Sequence, residues 1–508
     1  MSADVLIIGG GSAGCVLAAR LSENPAVRVT VLEAGGAATD PDIAVPQKWP
    51  LLAGRDYDWC YRTTPQAGTA DRAHDWPRGR VLGGSSCINA MAHVRGARED
   101  FRLWSEVSRS ARWSYEGLLP AFCKMESSSG GPLTVMLPDA ELSPAVRAYM
   151  AAALAAGIPW RGNHNSGNLL GVAPNSLTIR AGRRVSDADA YLDPVRGRPN
   201  LSVVARAKVH ALVVAGNRVT GVDTEIDGEH RRFSAGIVLL CAGAIGSPLL
   251  LMRSGIGPAE SLVRAGVRCI ADHAGIGANL HDHLLTAGNV YRAKRPVPAS
   301  LLQHSESLTY LDSGDLARAD GVPDIVVGCV AAPTVTECFE RPPGGSAYTL
   351  LSGVTHPTSR GRLTLTGPGV EDPPRIDPAY LSTEYDRRLA RRALETARMI
   401  GHQPALDEWR AEEIYPGVDC RSDTQLDAFL ERAVMTHHHP VGTCALGSVV
   451  DADLKLRGFE GLYVVDASVI PSITSGPIHA AVLAIAETFA AEVGGTKPAV
   501  ARSGAAPR

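Results

Sequence analysis

Two groups of residues in this chain have types and spacings suited to chemistry. The first is Gly9-Gly10-Gly11-Ser12-Ala13-Gly14, with Gly9, Gly11 and Gly14 in G-x-G-x-x-G spacing and Glu33 nineteen residues past Gly14. An apolar, β-branched run at residues 4–8 precedes the turn; a helical pattern at 12–21 and a second strand at 28–32 follow it. In that setting Gly9 permits the tight turn, Gly11 admits a pyrophosphate against the backbone, and Gly14 lets the helix pack close to the strand. The positive end of the helix faces the phosphates, and Glu33, followed by Ala34, accepts hydrogen bonds from adenosine ribose hydroxyls. A bare glycine loop in an ordinary α/β unit would not need the acid at that distance. The second group is the run His437-His438-His439, with His479 further on. A neutral imidazole suits removal of a hydroxyl proton, because its unperturbed pKa is ~6.5. In an extended stretch His437 and His439 face one way and His438 the other. His437 is therefore assigned to a pocket wall and His438 to structure. No metal is expected, since adjacent residues cannot all converge on one ion and no carboxylate or cysteine stands at ligand spacing.

The elements that must position these residues follow from the rest of the chain. Residues 35–78 lack periodicity and form an ordered, extended excursion ending in Gly79-Arg80-Val81-Leu82-Gly83-Gly84-Ser85-Ser86-Cys87-Ile88-Asn89. Paired glycines and serines between apolar anchors suit a backbone that approaches something flat. Helices are expected at 100–107, 115–126 and 143–156. Residues 201–204, 207–214 and 218–227 read as a meander with Gly216-Asn217 as a hairpin turn. A buried strand at 236–241 precedes a helix for which Ser247 and Pro248 serve as N-cap and first-turn residue and Gly255 as the stop. Residues 285–434 alternate strand-like runs (324–330, 348–355, 362–366) with helices at 384–400 and 424–433, an α+β pattern. The arginines at 387, 388, 391 and 392 read as a solvated helix face. A strand at 461–465 ending in Asp466-Ala467-Ser468, a loop at 471–479 and a helix at 480–491 pair with the N-terminal unit. One nucleotide domain is thus expected from both chain ends, with boundaries at 1–157, 158–284 and 435–508 around a substrate domain at 285–434.

The chain has 508 residues, is 45% hydrophobic and carries a net charge of −3, which supports a large core and argues against nucleic acid or an anionic membrane as partner. Ten cysteines without a C-x-x-C pair signal neither zinc nor a redox dithiol and suit a reduced, cytoplasmic protein. No signal-peptide pattern is read at the N-terminus, and no apolar run reaches the ~20 residues that a membrane span needs. The residues after Gly494 read as a low-complexity tail.

The motifs together resemble the glucose–methanol–choline oxidoreductases, flavoenzymes that oxidise alcohols. The resemblance rests on the glycine motif with Glu33, residues 79–89, residues 243–257, Gly277-Ala278-Asn279-Leu280-His281-Asp282-His283, residues 439–443, and Val465-Asp466-Ala467-Ser468. It implies a Rossmann-like FAD-binding domain, α/β, joined to an α+β substrate-binding domain. It also implies FAD contacts from Gly9, Gly11, Ser12, Ala13, Gly14, Glu33, Ala34, Gly83, Ser86, Asn89, Val209, Asp466, Ala467 and His479. By resemblance His439 is the base facing the flavin, and His479 fills a second active-site position that hydrogen-bonds the alkoxide. His281 and His283 are expected to hold a loop. Ile88 stands where some members carry the histidine that bonds flavin covalently, so noncovalent FAD is expected. His93 stands where an aromatic residue is frequent, and Pro477 and His479 stand where asparagines are frequent; Pro477 is placed against the substrate. Within the family, the histidine run and Ser475-Gly476-Pro477-Ile478-His479 fit oxidation of a hydroxymethyl group on a polar pyridine ring, with oxygen as acceptor. A choline-dehydrogenase-like enzyme passing electrons to a quinone is the alternative; a lyase and a non-catalytic nucleotide binder are more remote.

Overall fold

A computed structural model of the chain describes residues 2–314 and 321–493. The tail expected after Gly494 lies outside the described residues. The N-terminal unit consists of strand Ser2–Ile8, helix Ser12–Leu21 and strand Val29–Leu32. The first strand lies parallel to Val29–Leu32 on one side and to the end of strand Glu229–Leu240 on the other. Burial on both faces explains why it reads as an unbroken apolar run. Strand Leu462–Val464 joins the same sheet, parallel to Glu229–Leu240, so both chain ends build one sheet.

Three expectations are corrected here. Strand Leu201–Val204 does not belong to a meander; it lies parallel to Val29–Leu32 at the opposite edge of the sheet. Only Ala207–Ala215, Arg218–Ile226 and Glu229–Leu240 form consecutive antiparallel pairs. The strand expected at 236–241 is the buried end of Glu229–Leu240, whose first residues are exposed. Finally, the helix Gly243–Arg253 starts earlier than Ser247, with Ala242 as N-cap and Pro248 inside it. An internal proline has no N–H to give the carbonyl one turn back. That carbonyl, on Ala244, instead accepts the Thr443 hydroxyl at 2.6 Å, so tertiary contact compensates the break.

The second sheet has six strands: Ser305–Leu311, Ile325–Val330, Ala347–Val354, Leu284–Ala293 and Arg410–Tyr415 in that order, with Val434–Thr436 also paired to Leu284–Ala293. Helix Glu384–Gly401 turns Leu389, Ala393, Leu394, Ala397 and Ile400 inward, the i, i+4 stripe of an amphipathic helix. Its arginines are not uniformly solvated. Arg391 is only 12% exposed and grips Asp427 of the neighbouring helix at 2.6 Å, whereas Arg392 is 60% exposed. One apolar cluster runs through both sheets, from Val5 and Leu239 to Val327 and Tyr348.

Candidate active site

The N-terminal cradle is built almost wholly from backbone. Gly9 sits at φ +104°, and a Cβ on Gly14 would lie 1.9 Å from the Gly9 carbonyl oxygen; the strand–helix approach therefore requires glycine there. Gly11 is the N-cap of the first helix, and no side chain caps that end. The second glycine loop packs on the first: Gly83 N donates to the Gly10 carbonyl at 2.8 Å, and a Cβ on Gly84, at φ +56°, would lie 2.6 Å from Gly11 Cα. Glu33 is buried beside the turn and accepts from Gly10 N at 2.7 Å and Gly35 N at 2.8 Å. Burial raises its pKa to about 7 against those two amides and the nearby Arg80.

Other predicted cofactor residues surround this cradle but spend their side chains on protein. Ser86 donates to the Gly83 carbonyl at 2.6 Å, and Asn89 accepts from Arg184 at 2.7 Å. Asp466 accepts from Gly243 N, the Ser247 hydroxyl, and Ser468 N and hydroxyl, so only its backbone, and that of half-buried Ala467, is left for a ligand. Val209, on strand Ala207–Ala215, packs against the main core.

The histidine pocket is assembled by strand register. Strand Val434–Thr436 runs antiparallel to the start of Leu284–Ala293, with Thr436 opposite Leu284. The next step of the ladder sets His437 beside His283, and His437 N donates to the His283 carbonyl at 3.0 Å. The chain then turns at His438, which has φ +65°. His437 and His439 therefore share a side through a left-handed bend and not through extended alternation; their ring centroids are 4.4 Å apart. Asp282 anchors the bend. Its carboxylate accepts from His439 N at 2.7 Å, the Thr436 hydroxyl at 2.6 Å and the Tyr380 hydroxyl at 2.6 Å. His439 Nδ1 lies 2.9 Å from His283 Nδ1, and His283 Nε2 lies 2.8 Å from the Thr474 carbonyl.

Desolvation dominates the electrostatics. His439 is pushed well below the usual histidine range by burial and by the neighbouring His437, His283, His438 and Arg78. His437 is lowered in the same way, and burial brings His283 and His438 down to about 3. At neutral pH the cluster is uncharged, and each ring keeps a lone pair. One nitrogen each from His283, His437 and His439 lies within 4.8 Å of the other two, close enough to share a cation. The spacing argument against a metal did not foresee His283, which comes from a distant motif.

The histidine cluster meets, through the His283–Thr474 contact, the segment before the last helix, His479–Val493. Asp100 accepts from Ser475 N and the Ser475 hydroxyl, both at 2.7 Å, and His281 accepts from Ile473 N at 3.1 Å. His281 and His283 thus do hold this loop. They fix buried Pro477 and place His479, whose Nε2 meets the buried Asp187 carboxylate at 2.8 Å. Asp187 N in turn donates to Ser86 Oγ. His93 lies edge-on to His479, with centroids 6.4 Å apart, and is bonded to Glu126. No hydrogen bond joins His479 to His439 among the described residues; what His479 has to offer is Nδ1. Asp100, Asp187, Asp282 and His283 are the residues that sequence reasoning missed as parts of the site. For His283 and Asp282 the signal was present, since both lie in the quoted motif ending at residue 283. A separate cleft of about 520 Å3, lined by Gln66, Asp377, Tyr380 and Arg387, contains none of the predicted site residues.

These features fit a dinucleotide cofactor. The first helix presents an uncapped N-terminus between two glycine loops that approach too closely for a Cβ at Gly14 or Gly84. Buried polar atoms without a protein partner, Asp187 Oδ1, His479 Nδ1 and Arg78 Nη2, mark polar positions for a ligand. A parallel sheet with this cradle, joined to a pocket of neutral imidazoles, is the architecture of a nucleotide-binding protein with side chains able to accept a proton. Residues 3–285 and 357–486 match the two family patterns described as GMC oxidoreductase, and the chain belongs to that family. It is 50% identical to pyridoxine 4-oxidase of Microbacterium luteolum over 96% of this chain and 98% of that protein. The crystal structure of pyridoxine 4-oxidase from "Mesorbium loti" superposes with a TM-score of 0.95 at 51% identity, covering 97% of this chain and all of that one. Mouse mitochondrial choline dehydrogenase is more distant, 35% identical over 96% of this chain and 88% of its own length. The protein is an FAD-dependent enzyme that oxidises alcohols. Among the described residues no helix is long and apolar enough to cross a membrane.

Proposed function

We propose that the enzyme oxidises the 4-hydroxymethyl group of pyridoxine to the aldehyde, with oxygen as acceptor: pyridoxine and O2 give pyridoxal and H2O2. The observation that carries this reading is the neutral, half-buried imidazole of His439 in a pocket lined by further neutral histidines, in a chain similar along its whole length to pyridoxine 4-oxidases. His439 takes the hydroxyl proton. Bound FAD supplies the hydride acceptor. Its attachment is noncovalent, because Ile88 has no nucleophile. His437 lines the substrate side, and His479, held by Asp187, orients polar groups through Nδ1. Pro477 has no donor to offer an alcohol, which leaves that task to the histidines. The domain division at 157/158, 284/285 and 434/435 is part of the same reading. A cytoplasmic location is supported by ten cysteines that are all free.

An oxygen electrode decides the matter. Pyridoxine should bleach the flavin anaerobically and consume one O2 per pyridoxal in air. Bleaching with dye reduction but no peroxide would leave the alcohol chemistry and remove oxygen as acceptor. No bleaching with pyridoxine, but bleaching with another alcohol, would sink the substrate assignment.

A further inference from the structure

We propose that His283 is a positioning residue that fixes the tautomer of His439, so that its lone pair stands on Nε2. The inference rests on the reading of His439 as the base. It follows from a chain of two hydrogen bonds that ends on a group able only to accept. The Thr474 carbonyl has no proton, so His283 Nε2, 2.8 Å away, carries one. His283 is buried, and it stays neutral because burial and the adjacent His356 depress its basicity. Its only proton is therefore on Nε2, and its Nδ1 is a lone pair. His439 Nδ1, 2.9 Å from that lone pair, must donate. His439 is itself neutral, so Nδ1 holds its single proton and Nε2 is left free to accept one from the substrate. The opposite assignment would set two lone pairs against each other at the Thr474 carbonyl.

The same bond helps when the proton arrives. His439 then becomes an imidazolium, and its Nδ1–H bond to His283 becomes charge-assisted, which makes it shorter and stronger. Among the described residues no carboxylate is bonded to the ring that could do this instead. His437, His438, His283 and Arg78 face His439, and Asp282 reaches only its backbone N–H. His356 and Asp100 are the charged or titratable groups on the far side of His283. Two of the three histidines whose nitrogens lie close enough to share a cation are already joined to each other by the His283–His439 hydrogen bond, which is why the trio is read as a relay. Thr474 stands three residues before Pro477, so the anchor of the relay and the proline assigned to the substrate side belong to one loop.

The test compares His283→Phe, which removes the acceptor, with His283→Asn, whose Oδ1 falls near the position of Nδ1. Flavin content should hold in both, because His281 still accepts from Ile473 N and keeps the loop, and KM, read beside kcat, separates any shift of the Thr474 loop from loss of the relay. Turnover per bound flavin should fall roughly 10- to 100-fold in His283→Phe, part of the 10²–10⁴ that a positioned base contributes, and recover largely in His283→Asn. The acid limb of the kcat profile should move to lower pH in His283→Phe, because the imidazolium loses its acceptor. A merely structural role would lower flavin loading and leave both the limb and the turnover per flavin in place; that result overturns the proposal. His439→Ala run in parallel separates the two ideas. An inactive His439→Ala beside a fully active His283→Phe rejects the relay alone, and an active His439→Ala rejects the base assignment itself. Should His283→Phe fail to fold, 15N spectra of histidine-labelled wild-type holoenzyme still decide: a protonated Nδ1 and bare Nε2 on His439 are expected, and the reverse pattern overturns the proposal.

Discussion

The glycine cradle and the histidine pocket solve their tasks with opposite materials. The cradle is backbone: two glycine loops, a bare helix N-terminus and one acid, all within the first ninety residues. Its geometry is enforced by the absence of side chains, as the 1.9 Å approach at Gly14 makes plain. The pocket presents side chains, and its parts are far apart in sequence. His283 and His439 are separated by 156 residues, Asp187 and His479 by 292, and Asp100 and Ser475 by 375. At Gly9, Gly14 and Gly84 the cradle tolerates no added Cβ, which would lie within 3.0 Å of backbone. The pocket depends on which proton sits where, so isosteric changes should damage it.

The sharpest break of the comparison is His439→Ala. Turnover with pyridoxine, measured as oxygen consumption per bound flavin, should fall ~10²–10⁴-fold, with the flavin spectrum intact. If flavin is lost instead, the pocket is part of the cradle and the two regions are not separable. Gly14→Ala is the converse. The added methyl meets the Gly9 carbonyl, and thermal unfolding should show a cost of about 3 kcal/mol, the upper range of overpacking. FAD should leave readily, yet whatever flavin remains bound should turn over normally.

The difference in material also sets how much was legible. Helix Ser12–Leu21 and the acid at 33 are encoded by neighbours along the chain, so periodicity and spacing suffice to place them. Ser247 misled because a serine–proline pair usually opens a helix; here Asp466 takes the serine hydroxyl and Thr443 serves the carbonyl that Pro248 leaves vacant. Both partners come from segments some two hundred residues on, where no local rule reaches. Likewise His437 and His439 were placed on one side for the wrong local reason, extended alternation, when a left-handed His438 produces the same outcome. The family motifs brought His439, His479, Asp282 and His283 to attention, but not which of them pair. The bond of His283 to His439 becomes visible only once the register of Thr436 against Leu284 is known.

A milder change on the pocket side is Asp282→Asn. An amide cannot accept from His439 N, Thr436 and Tyr380 with both of its ends, so a buried donor is left unpaired. Stability should drop by ~1–2 kcal/mol, and kcat should fall while flavin content holds. Equal loss of flavin and turnover would instead mean that the carboxylate supports the sheet and not the bend.

The smallest effect, on the cradle side, is pH dependence through Glu33. In the cofactor-free protein burial raises its pKa from 4.5 to about 7. A raised folded-state pKa means that this group's contribution to apoprotein stability is full below the unfolded value and is lost as pH climbs from about 4.5 to about 7. FAD should reverse that trend, because ribose hydroxyls donate best to the ionised carboxylate, which pulls its pKa back down. The melting temperatures of holoenzyme and apoprotein should therefore diverge as pH rises through this window and run parallel above it. FAD affinity should strengthen by up to roughly tenfold per pH unit over the same range. Glu33→Gln removes the titration, so its two melting curves should keep a constant gap. A gap that still widens in Glu33→Gln would assign the pH dependence to another group and leave Glu33 with the Gly10 and Gly35 amides alone.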